Sequence, residues 1–428
     1  MIKDGYKKTS IGYIPLDWEV KKFKDITDIL RCGLASTPKY VEDGVPFLSA
    51  QNVKNGKLNL DKYKCISNEL HEKLTKNTKP QKNDILMTRV GNVGDAAIVD
   101  IDWEFSVYVS LTHIRMKEGY DSQFFTQLLN SSFIKRRSLQ TQYKGGGVAN
   151  LNVKVVEEFD MPIPPLKEQQ KIAEILSSVD AAIEKTEQVI AKTEEVKKGL
   201  MQQLLTKGIG HTEFKQTEIG EIPIEWDIMN LGKLVKLQGG YAFKSTDYCL
   251  GGIQLIRISN LFGKYLNLEK EPVFLPIEYK DKYSQYLLNC GDLIMCMTGT
   301  VGKEDYGHTV LIQNSNAEYL LNQRVGKFNL ITENIDKDYL YWFLSSRLFL
   351  DYIYSLGSGT KQANLSAKQV ESAKIALPNL TEQKKIVKIL NKVNEKIIYD
   401  VEKVNKLKEI KQGLMQQLLT GQTRVKID

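Results

Sequence analysis

The sequence contains two copies of one long unit, and this duplication limits the possible folds more than any other feature. At an offset of 208 residues, TSIGYIPLDWEV (9–20) aligns with TEIGEIPIEWDI (217–228), and NDILMTRVGNVG (83–94) aligns with GDLIMCMTGTVG (291–302). At an offset of 214, KEQQKIAEIL aligns with TEQKKIVKIL, and GLMQQLLT recurs unchanged. Solenoid repeats have periods of only about 20–50 residues. The repeated unit is therefore a whole domain with an appendage, and we expect pseudo-twofold architecture.

Each copy ends in a 40-residue run without proline, at 167–206 and 381–420, directly after a proline-containing segment. A helix of this length measures about 60 Å, which is too long for a helix that only covers a globular core. The apolar residues follow a heptad-like stripe, which predicts that the two helices pack on each other as an antiparallel pair. The alternative is two independent helices, each on its own domain. The stripe consists of Leu176, Val179, Ile183, Ile190, Val196, Leu200, Leu204, Leu390, Val393, Ile397, Val404, Leu407, Leu414 and Leu418.

The remainder of each copy has a mixed α and β pattern. FLSAQNV and LIRISNL are predicted as short strands, and each DIL-type segment as a strand that enters a glycine turn. GYKKTSIG near the N-terminus is similar to EFKQTEIG after the first long helix, so the second helix is expected to end near the N-terminus. The predicted class is α+β, with two similar mixed domains separated by the antiparallel coiled-coil helices. The predicted boundaries are 1–166 (first domain), 167–206 (first helix), 207–380 (second domain), 381–420 (second helix) and 421–428 (tail).

The composition excludes several classes of protein. Hydrophobic residues make up 42% and charged residues 26%, which fits a folded chain and not a disordered or collagen-like one. The densest apolar stretch, 339–350, contains Arg347 and is shorter than the roughly 20 residues of a membrane span. The N-terminus has no apolar run, and the five cysteines are scattered, so we expect a reducing, cytoplasmic location. The net charge of +7 permits nucleic-acid binding without establishing it.

The sequence lacks the motifs of common catalytic and metal sites. GTVGKE (299–304) has the wrong spacing for a phosphate-binding loop. The four histidines are far apart, and Cys290 and Cys296 lack the close-spaced partners of a zinc site. MPIPPLKE has neither the polar residue nor the aromatic that a base-methyltransferase motif needs around its prolines. We therefore predict no catalytic residue, no metal and no bound cofactor, with an enzyme that has atypical motifs as the alternative.

The same motifs occur in the same order in both copies: IGxIPxxW, a GDIL-like strand with GxxG, ANL, a proline segment, and a long helix that ends in LMQQLLT. Over nearly the whole chain, they resemble the DNA-specificity subunit of type I restriction-modification enzymes. The resemblance implies a non-catalytic subunit that reads a split site in double-stranded DNA, with one domain per half-site. It also implies that two methyltransferase subunits and the restriction/translocase subunits dock on the long helices. S-adenosylmethionine would belong to the methyltransferase partner, and ATP and magnesium to the restriction partner. The alternative is a coiled-coil scaffold that joins two protein-binding domains.

The candidate DNA contacts are polar or basic residues on loops near glycine, where backbone amides approach phosphate and side chains reach base edges. One set lies in the equivalent loops KGGGVANL and GSGTKQANL, where the lysines would contact phosphate: Lys144, Gly145, Gly146, Ser358, Lys361 and Gln362. Gln362 would bind an adenine edge. A second set lies at strand ends: Gln51, Asn52, Thr88, Arg89, Asn92, Arg257, Ser259, Asn260 and Thr300. The alternatives are a flexible connection for the first set and turn chemistry for the second.

The two copies differ at several of these positions. Copy one has Arg89 where copy two has Met297, and copy two has Arg257 where copy one has Ser49. No single arginine is therefore expected to contact DNA in the same way in both domains. Trp18 and Trp226, in the matching motifs at the domain entrances, are predicted as core anchors and not as base-stacking platforms.

Overall fold

A computed structural model of the chain describes residues 4–141, 150–262, 265–313, 318–356 and 362–427. The chain forms two compact units, Met1–Gln188 with Val401–Asp428, and Val189–Asp400. The boundary between these units falls within both long helices, so each unit holds one globular domain and one part of each helix. In the described ranges, no helix is both long enough and apolar enough to cross a bilayer.

The first unit is built around a four-stranded sheet of order β10-β9-β12-β4, in which each neighbouring pair of strands is antiparallel. A smaller sheet has the order β11-β5-β8, and β3 pairs with β13. The strands are β1 Tyr6–Thr9, β2 Gly12–Pro15, β3 Glu19–Lys22, β4 Thr27–Cys32, β5 Val45–Leu48, β6 Val53–Lys54, β7 Lys57–Leu58, β8 Lys64–Ile66, β9 Ile85–Thr88, β10 Ala96–Ile98, β11 Ser106–Val107, β12 Leu111–Met116 and β13 Asp160–Ile163. The helices are α1 Asn68–Thr75, α2 Ser122–Leu129, α3 Ser132–Thr141 and α4 Val153–Glu157, followed by the long helix α5 Leu166–Leu204.

The second unit repeats this plan with the sheet β17-β27-β23-β25, which is again antiparallel between neighbours. Its further sheets are β21-β18-β26-β22, β16-β29 and β24-β28. The strands are β14 Phe214–Thr217, β15 Gly220–Pro223, β16 Asp227–Asn230, β17 Val235–Gly239, β18 Ile253–Ile256, β19 Leu261–Phe262, β20 Tyr265–Leu266, β21 Phe274–Leu275, β22 Leu287–Leu288, β23 Leu293–Cys296, β24 Thr298–Thr300, β25 Thr309–Leu311, β26 Tyr319–Leu321, β27 Val325–Leu330, β28 Gln362–Asn364 and β29 Lys374–Leu377. The helices are α6 Tyr279–Lys282, α7 Lys337–Leu344, α8 Arg347–Ser355, α9 Ala367–Glu371 and the long helix α10 Leu380–Leu418. The predicted internal repeat of two mixed domains is confirmed.

The DIL-type segments form the buried strands β9 and β23, and the aspartate before each strand has a structural role. Asp84 accepts hydrogen bonds from Arg115 at 2.8 and 2.7 Å, and its Oδ2 lies 2.6 Å from His113 Nε2. Burial raises the pKa of Asp84, but the bonds with His113 and Arg115 outweigh this effect and hold the pKa below its ordinary value. The equivalent Asp292 accepts a bond from Lys327 at 2.7 Å. In both domains this carboxylate ties the start of the strand to the strand beside it.

Within each unit, α5 and α10 lie side by side in opposite directions. In the first unit, Lys411 pairs with Asp180 and Lys408 with Glu187, each at 2.7 Å. Residue numbers therefore increase along α5 in the direction in which they decrease along α10. The predicted antiparallel pairing is confirmed. In the second unit, Lys197 donates to Asn394 at 3.3 Å, in the place that corresponds to the Lys411–Asp180 pair.

The apolar stripe of the long helices is largely buried. Its fully buried members are Leu176, Ile183, Leu204, Leu390, Ile397, Val404 and Leu418, and its half-buried members are Val179, Ile190, Leu200, Val393, Leu407 and Leu414. Val196 was predicted wrongly, because its side chain is 54% exposed and the neighbouring Lys197 is the buried residue. Leu176 and Leu418 belong to the core of the first domain, and Leu204 and Leu390 to that of the second. The ends of the stripe therefore cover the domains.

A buried glutamate at the start of α5 joins the long helix to the first domain. The indole of Trp18 donates to Glu168 at 2.9 Å, and the Arg424 guanidinium donates to the same carboxylate at 2.7 and 2.8 Å. Arg424 also binds both oxygens of Asp17 at 2.8 Å, and its hydrogen bond lowers the pKa of that carboxyl. The Tyr6 hydroxyl donates to the carbonyl of Gly421 at 2.9 Å. The tail after α10 therefore returns to the N-terminal hairpin, as the sequence predicted.

The second domain has a matching arrangement at the start of α10. The indole of Trp226 donates to Glu382 at 3.1 Å, and His211 Nε2 lies 2.8 Å from the other carboxylate oxygen. The amide of Ile209 donates to Glu382 at 3.0 Å. Both tryptophans are core anchors, as predicted, because their rings are buried.

The contacts of Arg424 predict its contribution to stability. In Arg424→Met, the Glu168 carboxylate stays buried with the Trp18 indole as its main partner. Breaking a buried ion pair costs about 3–5 kcal/mol, and Arg424 is partly exposed, so we expect about 3 kcal/mol. This loss corresponds to about 100-fold faster amide exchange of the hairpin at 4–16 and of the tail, measured by hydrogen–deuterium exchange.

The matched control is Arg347→Met, which removes an arginine that pairs with Glu304 and Asp351 on the protein surface. Surface ion pairs contribute less than about 1 kcal/mol, so exchange around this site should change little. Equal effects of the two substitutions would contradict a special role for the buried carboxylate.

Candidate nucleic-acid interface

In the second domain, two candidate segments that lie far apart in the sequence are neighbours in the fold. β24, which follows the buried strand β23, pairs with β28, and this pairing places Thr300 opposite Gln362 and Thr298 opposite Asn364. Thr300 and Gln362 come from different candidate sets, the strand ends and the glycine loops. The structure brings them together at one end of the central sheet.

A cavity of about 490 Å³ opens between these strands and the short 3-10 turn Ile258–Asn260. Its polar lining comes from separate segments: Ser259, Lys270, Thr298, Thr300, Asp305 and Gln362. The carboxylate of Asp305 accepts the amide of Thr300 at 2.7 Å and so fixes the start of the glycine turn. Three predicted residues, Ser259, Thr300 and Gln362, therefore line one concave surface.

The first domain forms the same backbone pairing, but different side-chain hydrogen bonds hold it. Val90 bridges to Asn150, which corresponds to the Thr298–Asn364 pair of the second domain. Arg89 donates through Nε to the carbonyl of Leu151 at 3.0 Å, and through its terminal nitrogens to the Val109 carbonyl at 3.1 Å and the Asn150 side chain at 3.0 Å. These contacts hold the ANL segment in place, so Arg89 is a positioning residue in this conformation.

Gln51 lies next to this site and is exposed. The amide of its neighbour Ala50 donates to the Ser110 hydroxyl at 2.9 Å, and the amide of Arg89 donates to the Ser110 carbonyl at 2.9 Å. Ser110 therefore joins the turn that carries Gln51 to the end of the buried strand. Among the strand-end candidates of the first domain, Gln51 is well placed to reach a ligand in front of the sheet.

Asn52 and Asn260 are buried and bind their own turns. Each side-chain oxygen accepts one backbone amide, and each NH2 group donates to two backbone carbonyls at 2.9–3.1 Å, with the same relative spacing in both copies. The strands predicted for FLSAQNV and LIRISNL end at Leu48 and Ile256, and the asparagines lie in the 3-10 turns that follow. Both amide groups hold the turns in this conformation.

Thr88 and Asn92 also take part in turn chemistry. The buried hydroxyl of Thr88 accepts the amide of Asp95 at 2.9 Å and donates to the Asn92 carbonyl. The exposed Asn92 donates its side-chain amide to the Asp95 carboxylate. Thr88 therefore shapes the glycine turn, whereas Asn92 lies at its surface.

The remaining candidates divide into one that is described and five that are not. Arg257 is half-buried and donates to the carbonyl of Glu271 at 2.8 Å, and its Nε has no partner among the described residues. Lys144, Gly145, Gly146, Ser358 and Lys361 lie outside the described residues. DNA contact by any of the candidates stays a prediction.

Sequence reasoning missed Lys270, Thr298 and Asp305, which line the cavity. No local pattern identifies them, because Thr298 lies in β24, which pairs with the distant β28, and Lys270 and Asp305 lie in loops. Within the described ranges, no three histidine, cysteine, aspartate or glutamate side chains are grouped so that they could hold a metal ion.

Comparisons with known proteins agree with the resemblance seen in the sequence. A family model described as the type I restriction modification DNA specificity domain matches residues 15–195 and 223–412. The chain is 30% identical, over 431 residues, to the type I restriction enzyme MjaVIII specificity subunit of Methanocaldococcus jannaschii, across 99% of this chain and 97% of that protein.

Two solved structures have a similar fold. The S subunit of a type I restriction-modification system from M. genitalium has a TM-score of 0.54 at 14% identity, with coverage of 94% of this chain and 96% of that one. A chain from a structure described as concerning complex assembly and conformational transition of the type I R-M system has a TM-score of 0.55 at 17% identity, with coverage of 96% and 99%. This chain therefore belongs to the family of DNA-specificity subunits of type I restriction-modification systems, which are a non-catalytic DNA-recognition component.

Proposed function

We propose that this chain reads a bipartite target in double-stranded DNA, with one globular domain for each half-site. The observation that carries the proposal is the repeated site: in both domains the ANL segment pairs with the residues after the buried strand, at the same end of the central sheet. The side chains on this frame differ, since Gln51 corresponds to Ser259 and Asn92 to Thr300. A shared backbone with different polar groups suits two readers of different base sequences.

We also propose that the long helices hold two methyltransferase subunits and the restriction subunits. On α10 the side chains of Ile398 and Tyr399 are exposed, and exposed apolar side chains suit contact with another protein. In this proposal the chain itself binds no cofactor. The methyltransferase partner binds S-adenosylmethionine, the restriction partner binds ATP and magnesium, and the complex acts on DNA in the cytoplasm.

The main test is the methylation of DNA by the chain alone and with its methyltransferase partner. We expect no methyl transfer by the purified chain, and methylation of a split sequence by the complex. Replacing residues 1–166 or 207–380 with the corresponding domain of a related subunit should change one half of that sequence, as read by mapping the methylated bases. Methylation by the chain alone, or a single exchange that alters both halves, would contradict the proposal.

The position of Gln362 at the cavity predicts a contribution to one half-site only. A bidentate base contact provides about 1–3 kcal/mol of discrimination, so Gln362→Ala should relax specificity in the second half-site by about 5- to 150-fold. The matched control is Gln51→Ala, which should relax the first half-site alone. Binding of the complex to duplexes with single base changes measures both effects. If Gln362→Ala weakened binding to every sequence equally, the side chain would have a backbone or folding role.

The length of the helices predicts the length of the DNA spacer. Both long helices have 39 residues and run through both units. Inserting four residues after Thr193 and four after the equivalent Leu407 adds about 6 Å, close to the rise of two base pairs. Four residues exceed one turn only slightly, so the apolar stripe stays nearly aligned.

We expect the same two half-sequences with a spacer that is longer by about one or two base pairs, because DNA twisting must absorb part of the mismatch. Mapping the methylated sites of the variant complex measures the spacer. An active complex with an unchanged spacer would show that another part of the assembly sets the distance.

A further inference from the structure

The second domain carries a cluster of aromatic side chains that the proposed site does not include. The ring of Tyr241 lies 4.7 Å from that of Tyr283 and 5.4 Å from that of Tyr286, and Tyr279 lies 5.1 Å from Tyr283. Phe243 is the buried member, whereas Tyr241 is 38% exposed. A group of large, partly exposed rings with phenol hydroxyls suits contact with a ligand, because a core position would bury them.

The register of the central sheet places this cluster beside the cavity. β17 and β23 both run antiparallel to β27, so they point in the same direction and end at the same edge. Gly239 of β17 lies opposite Gly326 of β27, and Gly326 lies opposite Met295 of β23. Gly239 and Met295 are therefore separated by two strand spacings, or about 10 Å. Tyr241 follows Gly239 by two residues, as Met297 follows Met295. The tyrosine cluster and the start of β24 therefore lie side by side at one end of the sheet.

Backbone contacts hold Tyr241 in this position. Its amide donates to the carbonyl of Leu321 at 2.9 Å, and its carbonyl accepts the amide of Gln323 at 3.0 Å. A Cβ on the preceding Gly240 would lie 2.2 Å from the carbonyl oxygen of Asn322. Only glycine permits this close approach, so the loop that presents Tyr241 has one defined path.

Two cations belong to the segments around the tyrosine cluster. Arg324 is exposed between the ends of β17 and β23, and its carbonyl accepts the amide of Met297 at 3.0 Å. No carboxylate among the described residues pairs with its guanidinium. The ammonium of Lys282 lies 5.4 Å from the ring centre of Tyr283. In the first domain, Leu34 and Ser110 occupy the positions of Tyr241 and Arg324, so neither this phenol nor this guanidinium is repeated there.

We propose that Tyr241, Tyr283 and Arg324 bind the sugar–phosphate backbone of DNA beside the half-site that the second domain reads. Phenol hydroxyls and guanidinium groups are donors that contact phosphate oxygens, and such contacts position a duplex without reading its sequence. The inference rests on the proposed function, since it takes the cavity beside the cluster as the place of base reading. A duplex over the cavity would also cover Tyr241, because the major groove is about 12 Å wide. A protein partner is the competing occupant, and the test separates the two.

The test measures the affinity of the assembled methyltransferase complex for cognate and non-cognate duplexes over a range of salt concentrations. Tyr241→Phe and Tyr283→Phe keep the rings and remove the hydroxyls. Each should weaken binding to both duplexes equally, by about fivefold, with an unchanged salt dependence, because no charge is lost. Arg324→Gln should also weaken both equally and should reduce the slope of log affinity against log salt by about 0.9.

The control is Tyr13→Phe, which removes the hydroxyl of a 50% exposed tyrosine in the first domain and should leave binding unchanged. Wild-type affinity in all three variants would overturn the inference and leave the proposed function intact, provided that the wild-type complex still selects its sequence. A loss on the cognate duplex alone would make these residues base readers and would overturn it too. So would normal DNA affinity with impaired assembly of the complex, which would identify a protein-docking surface. A wild-type complex without sequence selection would instead refute the proposed function.

Discussion

The buried carboxylate at the start of each long helix is the contact on which each unit depends. Glu168 and Glu382 each accept an indole hydrogen bond from the tryptophan of the domain entrance. Each also lies within hydrogen-bond distance of a basic side chain from beyond the end of the other long helix, Arg424 in the first unit and His211 in the second. A buried carboxylate is costly unless such partners satisfy it. In each unit, one carboxylate therefore holds together three segments that are far apart in the sequence.

This contact also accounts for the circular character of the sequence. The tail after α10 supplies a basic side chain to Glu168 in the first unit, and the segment after α5 supplies one to Glu382 in the second. The glutamate at the start of each long helix is therefore satisfied by residues that follow the other long helix. The similarity between the N-terminal segment and the segment after α5 predicted the return of the tail. The ion pair between Arg424 and Asp17 is its structural counterpart. Loss of the tail would leave Glu168 without its cation, which makes the last residues of the chain part of the first domain.

The sequence predicted the elements that depend on periodicity and repetition. The proline-free runs located both long helices, and their heptad-like stripe predicted the antiparallel pairing. Both patterns have direct physical causes in helix geometry and packing. It predicted less of the site, because a polar residue at a strand end can serve its own turn. Asn52 and Thr88 do so, and nothing in the local sequence distinguishes them from the exposed Gln51. The position of Tyr241 beside Met297 depends on the register of three strands, which the pattern of apolar residues does not specify.

The two copies show how one backbone supports different surfaces. In the first domain the hydroxyl of Thr88 and the carboxylate of Asp95 hold the turn after the buried strand. In the second domain Cys296 replaces Thr88, its thiol donates to the carbonyl of Thr298 at 3.1 Å, and Asp305 takes over the capping of the turn.

The ANL segment is also held by different contacts in the two domains. Arg89 fastens it through three donors in the first domain, whereas in the second domain the strand pairing of β24 with β28 holds it and Met297 needs no polar partner. Because the backbone is secured in each case by groups outside the exposed tips of the loops, the tips are free to differ. Side chains such as Gln51 and Ser259 can then change without loss of the frame, which is the property that a pair of independent DNA readers requires.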